Sequence, residues 1–246
     1  HEGRRSQRAG VFARRRRRGS IMENALPTEL VENLTDFCEN RGRVYTLLSR
    51  CYEKEIDAAF AADFAGHAAL ESDDAALADG FAALQACLAD LDEAALEQLA
   101  VVFNRVFFGM GPRTAQKAFP YESVYTSPDG LMMQEAYAQV RTLYHAARFA
   151  KDPTFPEPED HLAVELAFMA RLCEQAAGAL RAGEGQAAED LLGGQLAFLR
   201  DHLLRWIEPF AADACASAET GFYAHLATFT ETYLKADESA LDEVVG

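Results

Sequence analysis

The chain has 246 residues, half of them hydrophobic, and a formal net charge of −16. That length supports one large domain or two small ones without staples, and abundant Ala and Leu beside scarce Val and Ile favour helix over sheet. Such acidity excludes a general affinity for nucleic acid or anionic membrane; it either attracts cationic partners or is a solvated surface that only aids solubility.

Residues 1–21, HEGRRSQRAGVFARRRRRGSI, differ from the rest. The first twenty hold eight Arg and one Glu, a local +7, which leaves −23 for the remainder when subtracted from −16. No apolar stretch follows, so the segment is not a secretory signal. It reads as a disordered basic extension that is not native, with the natural start at Met22; the other reading is a basic arm for nucleic acid.

From there the apolar spacing predicts helices in succession. Leu26-Pro27-Thr28-Glu29 starts the first, which runs to about Tyr52 with Gly42 as a weak point. Asp57 begins a second, Ser72-Asp73-Asp74 caps a third, and Asp92-Glu93 opens a fourth that Gly109-Met110-Gly111-Pro112 stops. Residues 112–127 read as irregular, an aromatic loop packed as a lid or exposed as a binding surface. Ser127-Pro128-Asp129 is expected to cap a fifth helix, with Leu131 and Met132 on its inner face, ending near Phe149. A Pro-rich hinge at about 150–160 follows. A sixth helix spans His161 to Leu180, a seventh Ala187 to Phe210, and the last follows Glu219-Thr220-Gly221, with a polar tail from Lys235 that frays.

The expected fold is all-α, a single globular helical bundle of about eight to ten helices over residues 22–246, with the hinge loop between its two halves. Domain swapping through that hinge leaves monomer and swapped dimer both open. The five cysteines are odd in number and unpaired by any CxxC, which suits reduced thiols in a cytoplasm. No run of 18 uncharged apolar residues exists, so no stable membrane insertion is expected. The sequence lacks phosphate-cradling, dinucleotide, HExxH and GxSxG motifs. His161 and Glu165 share a helix face but lack a third strong ligand, so neither metal nor cofactor is expected. The hinge cluster Glu157-Pro158-Glu159-Asp160-His161 is either an ordinary helix start, with acids favoured by the positive helix end, or a set of acceptors aimed at a cationic peptide.

Four blocks carry a family resemblance: RVYTLLSRCYEKEID at 43–57; FPYESVYTSPDGL at 119–131 with VRTLYHAA at 140–147; EPEDHLAVELAFMARL at 157–172; and FLRDHLLRWIEPF at 198–210 with FYAHLATFTETYL at 222–234. On these the chain resembles the TorD/DmsD/NarJ family of redox-enzyme maturation chaperones, closer to the TorD/DmsD branch. The most specific block is Glu-x-x-Asp-His; the usual Pro directly before Asp-His is Glu159 here, with Pro158 one place earlier. The resemblance implies a cytoplasmic, non-enzymatic chaperone. It would bind the twin-arginine leader of a molybdopterin oxidoreductase precursor and assist cofactor insertion before export. The peptide-binding residues it implies are Asp160 and His161, with Glu157 and Pro158 beside them; Tyr121, Glu122 and Tyr125 join by location. The alternatives are a NarJ-like assembly chaperone for a nitrate reductase catalytic subunit and a nucleotide-binding enzyme.

Overall fold

The computed structural model describes residues 27–70, 72–110 and 117–246. The basic extension, Met22 and the Gly111-Pro112 stop lie outside them. The described residues form α-helices and no strand: α1 (Thr28–Glu53), α2 (Ala58–Ala65), α3 (Ala75–Leu88), α4 (Glu93–Phe107), α5 (Glu122–Thr126), α6 (Glu135–Ala146), α7 (Leu162–Arg181), α8 (Gly185–Phe198), a π-helical turn (Leu199–Leu203), α9 (Leu204–Ala218) and α10 (Phe222–Val245).

Local chemistry sets the first boundaries. Pro27 precedes α1, and Asp57, Asp74 and Asp92 each accept a backbone N–H at the start of α2, α3 and α4. On α1, Leu34, Cys38, Arg41, Tyr45, Leu48 and Tyr52 fall on one buried stripe. α1 lies along α7. α1 runs unbroken through Gly42, where a Cβ would sit in ordinary contact, 3.4 Å from Cys173 Cβ. α7 is buried nearly all round and runs through the middle of the core. α8 packs on α7, α9 on α10, α3 on α10 and α4 on α9. Helices before and after the hinge therefore share one core.

Three expectations are corrected. Ser127 ends α5 and does not cap α6. It holds a turn by accepting the Leu131 N–H, and α6 begins only at Glu135 and ends at Ala146, leaving Leu131 and Met132 exposed. The seventh helix is two helices joined by a π turn, and it carries Pro209 inside its second half as far as Ala218. The polar tail does not fray: α10 continues to Val245, with Leu241 and Val244 in the core. Asp237 anchors that last stretch. Its two oxygens accept Arg41 Nε at 2.5 Å and Nη2 at 2.9 Å, and Tyr45 donates its hydroxyl to it. Arg41 also donates to Gln195 Oε1 at 2.6 Å, so one buried guanidinium ties α1, α8 and α10 together.

Candidate functional site

The loop from residue 147 to His161 joins α6 to α7, and its last residues are pinned twice to the segment before α5. Leu162 donates its N–H to the Pro120 carbonyl at 2.8 Å and Glu122 donates to the Asp160 carbonyl at 2.9 Å, which makes an isolated antiparallel bridge between Tyr121 and His161. Side chains finish the joint. Asp160 Oδ2 accepts the Ser123 N–H at 3.1 Å at the start of α5. His161 Nδ1 accepts the Ala163 N–H at 3.1 Å and caps α7. Tyr121 and Phe155 press their rings edge-on to the His161 imidazole, both with centroids 5.1 Å away. Burial, with a smaller push from Lys151, drives the His161 pKa down to about 3, so the ring is neutral and Nδ1 is free to accept.

Behind this joint lies a buried acid cluster. Glu122 from α5, Asp160 from the loop and Glu165 from α7 are all fully buried. His202, presented by the π turn, donates Nδ1–H to Glu122 Oε2 at 2.9 Å. Trp206 donates its indole N–H to Glu165 Oε2 at 3.3 Å. Tyr144 of α6 closes the side, its hydroxyl going to the Glu159 carbonyl at 3.2 Å. Of the three carboxyls only Glu122 meets the imidazole, and Asp160 Oδ1 and Glu165 Oε1 have no hydrogen-bond partner. Three negative charges buried this close together would be too costly. The Glu165 pKa is accordingly well above the usual range, through burial first and the neighbouring Glu122 second. Burial also raises Asp160, against the Ser123 hydrogen bonds.

The expected site residues divide into two sets. Asp160, His161, Glu122 and Tyr121 are brought together but buried, so in this conformation they build the joint and do not face solvent. Glu157 and Pro158 are partly exposed beside them, as is Glu159 of the same hinge cluster. Glu157 accepts the Tyr121 hydroxyl at 2.5 Å, and Glu159 lies 3.9 Å from Arg141. Tyr125 points away from the hinge; it stacks on Trp206 and donates to Asp213 Oδ2 at 3.2 Å. Sequence reasoning misses His202 and Tyr144 as site residues. Glu165 carried a signal, an acid inside the apolar run Leu162–Met169.

On the other side of the loop a cleft of about 430 Å³ opens between α1, the loop and α7, walled by Phe149, Phe155, Ala163, Val164 and Ala167, with Arg50 and Lys151 at its edge. Phe155 separates this cleft from His161. Among the described residues, no three His, Cys, Asp or Glu are arranged to hold a metal ion, and no helix is long and apolar enough to cross a membrane.

Comparison with known proteins is consistent over most of the length. The family model described as nitrate reductase delta subunit matches residues 70–212. The chaperone protein TorD of Shewanella sp. (strain MR-4) is 31% identical over 222 residues, 85% of this chain and 98% of that protein. The chaperone protein TorD of Vibrio cholerae serotype O1 (strain ATCC 39541 / Classical Ogawa 395 / O395) is 28% identical over 231 residues, 88% of this chain and 98% of the relative. That of Photobacterium profundum is 39% identical over a shorter span, 106 residues, which is 43% of this chain and 48% of the relative.

Proposed function

We propose a function from one fixed premise: the chain belongs to the TorD/NarJ family of redox-enzyme maturation chaperones, and as a member of that family it is not an enzyme. The relatives' names favour a chaperone over the nucleotide-binding enzyme considered from the sequence. The finer reading is that the protein grips the twin-arginine leader of a molybdopterin oxidoreductase precursor in the cytoplasm, and holds the precursor while cofactor is inserted before export.

One observation carries this reading. The loop that brings Glu157 and Glu159 to the surface is fixed from beneath by Asp160 and His161, over a cluster with more acceptors than donors. A guanidinium is what such a corner lacks. It is planar, permanently charged and rich in N–H groups, and it pairs with carboxylates two bonds at a time. Glu157 and Glu159 take the first contact. Asp160, His161, Tyr121 and Glu122 hold the corner in place, and they reach the ligand only if the loop lifts. Pro158 stiffens the approach, and Tyr125 braces the far wall through Trp206. The acidic body steers the cationic leader, with a salt-sensitive on-rate.

A labelled synthetic peptide with Arg-Arg before an apolar stretch, and its Lys-Lys counterpart, test this by fluorescence anisotropy with the full chain. The Arg-Arg peptide should bind more tightly, and Glu157→Gln with Glu159→Gln should abolish the preference. Equal affinity of the wild type for both peptides would overturn the reading. The family model is described as nitrate reductase delta subunit, and the alternative client is a nitrate reductase catalytic subunit. Co-purification from the native host, with identification of the bound precursor, separates the two. Oligomeric state belongs to the same proposal: the chain is either a monomer or a dimer swapped through the loop between α6 and α7, and light scattering separates the two.

A further inference from the structure

Resting on the leader reading above, we infer that Leu131-Met132-Met133 forms a preformed apolar tongue that receives the apolar part of the client's leader. These three consecutive side chains are 56%, 42% and 54% exposed. Single apolar side chains on a surface are ordinary, but three in a row are a liability unless they bind something.

The frame of the tongue holds it in water. Leu131 donates its N–H to Ser127 Oγ at 3.2 Å, Gln134 donates its N–H to Ser123 Oγ at 3.0 Å, and the Gln134 side chain donates to the Met132 carbonyl at 2.9 Å. The backbone is left-handed at both ends of the turn. Gly130 has φ +61°, and Met133 itself has φ +58°, a conformation that a bulky side chain adopts only at a cost. A loop free to collapse would relax that strain and bury its methionines. Fixed exposure lowers the entropy lost on binding, and methionine adapts to varied apolar partners.

Its position and charge select the occupant. Ser123 bonds both Gln134, at the base of the tongue, and Asp160, at the acid corner, so the two surfaces are joined by two hydrogen bonds. Exposed Asp129 and Glu135 flank the tongue in sequence, and the half-buried Glu157 and Glu159 lie on the corner beyond. An apolar segment preceded by cations matches that order: guanidinium groups on the corner, apolar side chains on the tongue.

The test uses the full chain carrying Leu131→Ser, Met132→Ser and Met133→Ser, with the single variant Met132→Gln as a milder companion. Circular dichroism and thermal melting check the fold. Two synthetic probes are titrated by anisotropy: an Arg-Arg peptide followed by a Leu-rich stretch, and the same peptide with that stretch replaced by Ser. The triple variant should bind the Leu-rich peptide at least tenfold more weakly and the Ser peptide within twofold of wild type, with the single variant between. Leu-rich binding within twofold of wild type overturns the inference, as does an equal loss for both probes. If the wild type treats Arg-Arg and Lys-Lys alike while the triple variant still loses the Leu-rich peptide, the leader reading fails and the tongue stands. If light scattering shows a wild-type dimer that the triple variant breaks, with peptide affinity unchanged, the occupant is a second copy and the inference is overturned.

Discussion

Two buried polar clusters lie in this core, and they are built on opposite plans. At Arg41 one guanidinium meets one carboxylate, bidentate, with Tyr45 and Gln195 completing the hydrogen bonds. At Glu165 three carboxyls crowd together, only Glu122 meets an imidazole, and two oxygens lack a partner. The first is balanced and joins α1, α8 and α10 deep in the bundle. The second is acid-rich and sits under a Pro-punctuated loop beside the half-buried carboxylates Glu157 and Glu159. A balanced network fixes a fold. An unbalanced one stores a demand for a donor, which is the property expected beside a binding site.

The largest effect should come from breaking the balanced network. Asp237→Ala leaves Arg41 buried and unpaired, and losing one partner of a buried ion pair costs about 3–5 kcal/mol. At this chain length that lowers Tm by roughly 10 °C. Equilibrium denaturation would show it as a lower midpoint. A loss under about 1 kcal/mol would mean that the C-terminal half of α10 contributes little to the fold.

The unbalanced cluster should instead declare itself through pH, in two opposed windows. His161 is depressed from 6.5 to about 3, so between those values the unfolded chain binds a proton that the folded one refuses. Its contribution to stability is therefore lost as pH falls from about 6.5 towards 3. Glu165 is raised well above 4.5, so the folded state retains a proton that the unfolded state releases. Its contribution is full below about 4.5 and is lost as pH rises through the folded value. Denaturant midpoints measured across that range should show an optimum between the two limbs. His161→Asn keeps a good helix cap and should flatten the acid limb; Glu165→Gln should flatten the alkaline one. Unchanged slopes in both variants would place the titrating groups elsewhere.

Asp160→Asn is a gentler probe of the same cluster. The amide oxygen still accepts the Ser123 N–H, so stability should change by only about 1 kcal/mol. If the loop lifts to admit the leader, replacing this carboxyl should nonetheless weaken an Arg-Arg leader about tenfold, because hydrogen bonds to charged groups are worth about 1.5–3 kcal/mol. Full leader affinity in this variant would confine the binding surface to Glu157, Glu159 and the tongue.

Much of this contrast was legible in the sequence where the cause is local. Asp57, Asp74 and Asp92 cap the helices they announce, because a cap needs only its next three residues. The Asp160-His161 joint was legible through family likeness, but its burial was not, since burial depends on Tyr121 arriving from the segment before α5 and on Phe155 folding back within the loop. Ser127 misled for the opposite reason: its turn chemistry was real but served a loop instead of a helix. The tail misled most. Residues 235–246 are polar in composition, and only a cation on the first helix, 196 residues away, turns Asp237 from a solvated acid into an anchor. His202 gave no signal because its role depends on a π turn that shifts it into register with Glu122.

The smallest expected effect separates the hydroxyl of Tyr45 from the ion pair it serves. Tyr45 donates to Asp237 Oδ2, the oxygen that already accepts Arg41 Nη2. In Tyr45→Phe the carboxylate keeps both guanidinium bonds, so no buried charge is orphaned, and the ring keeps its edge-on contact with Tyr233. The loss should be that of one hydrogen bond, about 1 kcal/mol, several-fold below Asp237→Ala. A double-mutant cycle with the two changes gives the coupling directly. Coupling close to the whole Tyr45→Phe effect means that the hydroxyl acts only through Asp237, as a balanced network requires. Near-zero coupling would show that the hydroxyl has another role, and that the network is less complete than its geometry indicates.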